Sequence, residues 1–198
     1  MSRQHPPAPR RIFWVRHGPT HAKSMVGWSD LPADLSDTAR IARLSEFLPH
    51  KAPVISSDLM RATATADAIA GHRLRLPDDP DLREMNFGDW ELKRHNEIED
   101  QAHARAFWEN PGEIRPPGGE NWHEVTARVN AAISRIFNDS SAPDIIAVAH
   151  FGVILTQLQQ ALRLAPSEAF AHKIDNLSVT ELRFDQGQWH AERFNHLP

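Results

Sequence analysis

Twice in this chain a short apolar run breaks off on a histidine and a glycine. Ile12 to Val15 runs into Arg16-His17-Gly18, and Asp144 to Ala149 runs into His150-Phe151-Gly152. A continuous apolar run of this length, stopped by turn residues, reads as a strand covered on both faces. A segment of helical spacing comes after each run. Beyond the first, Ser36 is placed to cap a helix carrying Ile41, Leu44, Phe47 and Leu48, with Pro49 as its stop. Beyond the second, Val153, Leu155, Leu158 and Leu162 mark another helix. Val54 to Ser57 and a helix from Leu59 to Ile69, ended by Gly71, repeat the unit a third time.

Strands alternating with helices predict an α/β chain, a three-layer α/β/α sandwich around a mostly parallel sheet. Ligands of such sheets bind outside the carboxyl ends of the strands, which is where His17, the turn after Ser57 and His150 fall. The remaining stretches fit around this frame. Leu74 to Trp90 reads as an edge strand and then a loop, His95 to Trp108 as a helix, and residues 110–121 as a Pro/Gly-rich connection. Val125, Val129, Ile133 and Ile136 place a helix over Trp122 to Phe137. Leu177 to Phe184 and Gln188 to Phe194 flank Asp185-Gln186-Gly187, a hairpin signal.

At 198 residues, 40% of them hydrophobic, the chain is long enough for a core without staples, and it reads as one domain over 1–198 with a loose segment at 1–10. It has no cysteine, which removes disulfides and thiolate metal clusters and fits a cytoplasmic setting. Met1 to Arg11 lacks an apolar stretch of signal type, and no later run has membrane-spanning length. A net charge of −4 with dispersed Lys and Arg argues against nucleic acid, yet a few converging Arg still suit a small anion.

The ordered set of short motifs is more specific than any one of them. Arg16-His17-Gly18 with Thr20 is followed by Ser57-Asp58-Leu59-Met60-Arg61-Ala62, then Leu82-Arg83-Glu84 and Phe87-Gly88-Asp89-Trp90-Glu91. Pro117-Gly118-Gly119-Glu120 and Val148-Ala149-His150-Phe151-Gly152 complete it. In that order and at those intervals, from about Ile12 to Leu182, the chain resembles the histidine phosphatase superfamily, also called the phosphoglycerate mutase-like family.

The resemblance implies His17 as nucleophile, Arg16, Arg61 and His150 around the phosphate, and Glu84 as proton donor, with a small phosphorylated molecule as substrate and neither metal nor cofactor. Those residue types suit the chemistry. A neutral imidazole attacks phosphorus without a separate base, and the phosphohistidine is labile to water. Two guanidiniums and a protonated His150 would offset a phosphate dianion. Glu84 would be protonated as the alkoxide leaves and ionised as water attacks; Asp89, Glu91 and Glu120 are the other carboxylates in range, Glu120 being better suited to orienting a neighbour.

Two departures from the family pattern concern the pocket. Lys23 stands where many members have Asn, in a loop between His17 and Asp30 shortened by about three residues, so that Thr20, Lys23 and Ser24 are the polar candidates there. Phe151 occupies a slot where the family often has Gly and would narrow the pocket beside His150 and Gly152. Met25, Val26, Trp28, Phe87 and Trp90 read either as packing or as pocket lining. Hydrolysis of a small phosphomonoester is the leading reading. A phosphoglycerate mutase, a ribazole-phosphate phosphatase and a weakly catalytic phospho-ligand module are the alternatives.

Overall fold

The computed structural model describes residues 8–198. Met1 to Pro7, most of the expected loose segment, lie outside the described residues. Arg10 does not belong to that segment: strand β1 spans Arg10–Arg16, and the Arg10 guanidinium donates to the carbonyls of Phe137, Ser140 and Ala142. The other strands are β2 (Val54–Ser56), β3 (Asp144–Ala149), β4 (Val179–Asp185) and β5 (Gln188–His196). Among the described residues six α-helices accompany them: α1 (Thr38–Phe47), α2 (Met60–Ala70), α3 (Gln101–Glu109), α4 (Trp122–Asp139), α5 (Phe151–Leu162) and α6 (Pro166–Ala169).

The strands form one sheet in the order β2-β3-β1-β4-β5. The expectation of a mostly parallel sheet does not hold. β1 and β2 run parallel to β3, but β4 pairs antiparallel with β1, and β5 with β4. The tight turn at Gln186 and Gly187, both with positive φ, makes β4 and β5 antiparallel, and β4 enters the sheet beside β1 running against it.

Side chains alternate across the sheet, and this divides the core. From β1 and β3, Ile12, Trp14, Ile145 and Ala147 enter a cluster with α4 and α5. Phe13, Val15, Ile146 and Val148 enter a second one with α1 and α2. Helices therefore cover both faces, as a three-layer sandwich requires. Element boundaries differ modestly from those expected. Asp37, not Ser36, caps α1, its carboxylate accepting from the Arg40 amide at 3.0 Å. The edge strand expected near Leu74 is reduced to one bridge between Val54 and Arg75, beyond which the register is lost and the Asp79 amide donates to Ser56. Among the described residues no helix is long and apolar enough to cross a membrane.

Candidate active site

β1 and β3 end side by side, with Arg16 registered against Ala149, so the residues just beyond them meet. The rings of His17 and His150 lie 5.0 Å apart. Arg61 arrives from the first turn of α2, directly beyond β2. Three strand ends thus bring together residues separated by more than a hundred positions.

His17 is nearly buried, and its Nδ1 lies 2.6 Å from the carbonyl oxygen of Gly18. Only a protonated nitrogen can donate there, so the proton sits on Nδ1 and the lone pair is left on Nε2. Burial first, then the positive charges of Arg61 and Arg16, pull the imidazole down to about 3, outweighing the opposite effect of the Gly18 bond. The ring is neutral at any ordinary pH. His150 is fully buried, and neither of its ring nitrogens has a hydrogen-bond partner among the described residues. Burial, then His17, Arg61, Arg128 and Arg16, hold it well below its ordinary value. Three guanidiniums and a dry surround thus oppose a charge on His150 in the unliganded site, whereas the protonated form expected from sequence is that beside a bound phosphate.

The two arginines lack a carboxylate partner. Arg61 donates to the carbonyls of Gly27 and Ser29 at 2.6 and 2.8 Å, and Arg16 donates to that of Ile174 at 2.5 Å while its Nε has none. Burial lowers both, only partly offset by Glu84 and by other nearby carboxylates. Guanidiniums kept partly dry and hydrogen-bonded to no carboxylate among the described residues are suited to receive a dianion.

Glu84 is buried, with its carboxylate at the start of α5. The amides of Met85 and Gly152 donate to it at 2.9 and 3.1 Å. The three rival carboxylates have other work. Asp89 is exposed. Glu91 accepts from the amides of Gly27, Trp28, Ser29 and Phe87 and from the Ser29 hydroxyl. Burial raises it, but those bonds prevail and leave it below its usual range. Glu120 holds Arg128 through both oxygens at 2.7 and 2.9 Å. Arg128 in turn donates to the carbonyls of Asp81, Arg83 and Glu84.

Of the pocket residues expected from sequence, Phe151 and Gly152 lie beside the site. The Phe151 ring sits 5.3 Å from the Arg16 guanidinium carbon. Thr20, Lys23 and Ser24 do not join the cluster by any hydrogen bond among the described residues. Thr20 closes a local turn with Ala22, and Lys23 is exposed. The shortened loop turns outward instead, His21 taking positive φ and pairing with Asp34 at 2.8 Å. Phe87 lines a pocket, Trp28 donates its indole N–H to the Glu84 carbonyl at 2.8 Å, and Trp90 is core, packed on Phe107.

Several positioning residues escape the sequence reading. The Thr65 hydroxyl donates to the Arg61 carbonyl and accepts from the Gly18 amide, tying the first turn of α2 to the His17 turn. Its position four residues after Arg61, on one helix face, is the signal that could have found it. Asn176 donates to the His17 carbonyl at 2.8 Å, and Leu177 to that of Arg16. At Gly27 a Cβ would fall 2.1 Å from the Met85 carbonyl, so the loop that orients Arg61 closes only over glycine. Among the described residues no group of three or more His, Cys, Asp or Glu is arranged to hold a metal ion.

Comparison with known proteins agrees with this geometry. The model of the histidine phosphatase superfamily (branch 1) matches residues 12–197. The adenosylcobalamin/alpha-ribazole phosphatase of Salmonella typhimurium is 30% identical over 191 residues, covering 91% of this chain and 89% of that one. The glucosyl-3-phosphoglycerate phosphatase of Mycobacterium tuberculosis is 32% identical over 173 residues, 78% and 76% of the two chains. The solved structure of Bacillus stearothermophilus YhfR superposes with a TM-score of 0.87 at 26% identity, covering 96% of this chain and 98% of its own. The chain belongs to the histidine phosphatase superfamily, branch 1, and is a phosphoric monoester hydrolase of that type.

Proposed function

We propose that this protein hydrolyses a small phosphomonoester in two steps through a phosphohistidine on His17. In the first, Nε2 of His17 forms a bond to phosphorus while the ester P–O bond breaks, and the departing alkoxide takes a proton from Glu84. In the second, water attacks the phosphohistidine, gives a proton to Glu84, and releases inorganic phosphate as His17 is restored. Arg16 and Arg61 hold the phosphoryl oxygens and offset their charge throughout. The incoming dianion favours protonation of His150, whose two unpartnered nitrogens then gain an acceptor.

The observation that carries this reading is the bond from Nδ1 of His17 to the Gly18 carbonyl, 2.6 Å long. It fixes the tautomer, turns the nucleophilic nitrogen away from its own backbone, and does so in an imidazole kept neutral between two guanidiniums. That both curated relatives are phosphatases supports transfer to water over return of the phosphoryl group to substrate.

The test is His17→Ala, assayed for phosphate release from an alkyl phosphomonoester, with circular dichroism as the check on folding. A folded variant with no turnover is the expected result. A folded variant that keeps a tenth or more of wild-type activity overturns the proposal.

A further inference from the structure

The phosphate-binding side of the site is cationic, but the space beside it is not. A pocket bounded at one end by Glu84 and Gly152 is walled by Met85, Phe87, Trp108, Trp122, Phe151 and Phe170, and Glu84 is the single charged residue in that lining. The walls brace one another: Trp108 meets Phe170 edge-on at 5.9 Å, and Trp122 meets Phe170 at 4.6 Å. Trp122 directs its polar nitrogen elsewhere, donating to Gln159 at 2.6 Å. Phe151 belongs to both regions, since one side of it lines the pocket and Arg16 lies against its ring. The pocket therefore reaches Glu84, the group that would protonate the leaving oxygen.

We infer that this pocket receives the alcohol half of the substrate and selects an apolar alcohol carrying a flat ring. The inference rests on the phosphohistidine reading. Two observations decide the class. A carboxylate or second phosphate on the alcohol would be placed against the negative faces of the rings with no cation in the lining to meet it, which burial makes costly. The lining also offers a hydroxylated alcohol almost no polar side chain: apart from Glu84 its side chains are those of Met, Phe and Trp, and the Trp122 nitrogen is already bonded to Gln159. Such walls accept the flat face of a ring and make burial of a polyol costly. Trp108, at the solvent side, is 38% exposed.

The test compares kcat/KM for four alkyl phosphomonoesters whose leaving alcohols differ little in acidity: methyl phosphate, glycerol 3-phosphate, 3-phosphoglycerate and 3-phenylpropyl phosphate. The phenylpropyl ester should exceed glycerol 3-phosphate by about tenfold or more, the scale on which apolar pockets discriminate, with 3-phosphoglycerate the poorest. Trp108→Ala and Phe151→Ala should each lower the ratio of phenylpropyl to methyl ester, and a ratio is insensitive to loss of folded protein. Turnover that favours glycerol 3-phosphate or 3-phosphoglycerate, or variants that keep the wild-type ratio, overturns the pocket assignment and leaves the phosphohistidine reading standing. No release from any of the four overturns both.

Discussion

The Glu84 carboxylate sits on the backbone amide of Gly152, with both oxygens 3.1 Å from the nitrogen, and a Cβ on Gly152 would fall 2.5 Å from Oε1. Any side chain at 152 therefore pushes the carboxylate off the first turn of α5. Glu84 is the flexible partner in that contact, so Gly152→Ala should fold and lose rate on alkyl phosphates, where the leaving alkoxide needs a proton. Glu84→Gln should lose about a hundredfold on the same esters, in line with general acid catalysis. A nitrophenyl ester, which departs unaided, should show a burst of near-normal rate and then slow turnover. Equal losses for both esters in the burst phase would show that Glu84 positions phosphate and does not protonate the leaving group.

Acid should destabilise the fold through the paired imidazoles. His17 and His150 are both depressed in the folded state, so the unfolded chain binds the extra protons. Their contribution is complete above an ordinary value of 6.5 and is lost as pH falls from there, toward about 3 for His17. At roughly 1.4 kcal/mol per pH unit, His17 alone accounts for about 2 kcal/mol at about pH 5. Urea midpoints at pH 8 and pH 5 measure the loss, and His150→Gln should shrink the difference. An unchanged difference would mean that His150 is charged in the folded, unliganded protein.

Arg128 should matter more than its distance from the nucleophile suggests. It spans both oxygens of Glu120 and three carbonyls of the 81–84 segment, that of Glu84 included. Arg128→Ala leaves a half-buried carboxylate without its partner and should cost about 3 kcal/mol in thermal or urea unfolding. Arg128→Lys restores the charge but not the fork, so stability should recover in part while turnover of alkyl esters stays low. Full recovery of turnover by lysine would assign Arg128 a purely electrostatic part.

Much of the site is legible in the chain because its chemistry lies at strand ends. Arg16-His17 and His150 each end an apolar run, and parallel pairing with β3 brings the ends of β1 and β2 to one edge. Features that arise only from tertiary contact are not legible. The hairpin signal at Gln186-Gly187 is plain in the sequence, yet it says nothing of which strand the hairpin will join, and that choice sets the antiparallel half of the sheet. Glu91 carries no local mark of the five hydrogen bonds it accepts, three of them from backbone amides some sixty residues earlier. Counting from His17 leaves Lys23 either at the phosphate or turned to solvent; the chain turns at His21, and Lys23 is exposed.

Vanadate should inhibit in the micromolar range by taking five-coordinate geometry against His17, with Arg16 and Arg61 around its equatorial oxygens. Treatment with a chelator should leave turnover unchanged, since those guanidiniums supply the positive charge at phosphorus. Activity lost to EDTA and restored by magnesium or zinc would overturn that assignment.

In this mechanism every phosphoryl group passes through Nε2 of His17, and rapid quenching with labelled substrate tests that passage most directly. Acid-labile, base-stable label should appear on wild type within one turnover, map to the peptide containing His17, and be absent from His17→Ala. Label on a serine, an aspartate or another histidine, or label that persists in His17→Ala, would contradict it.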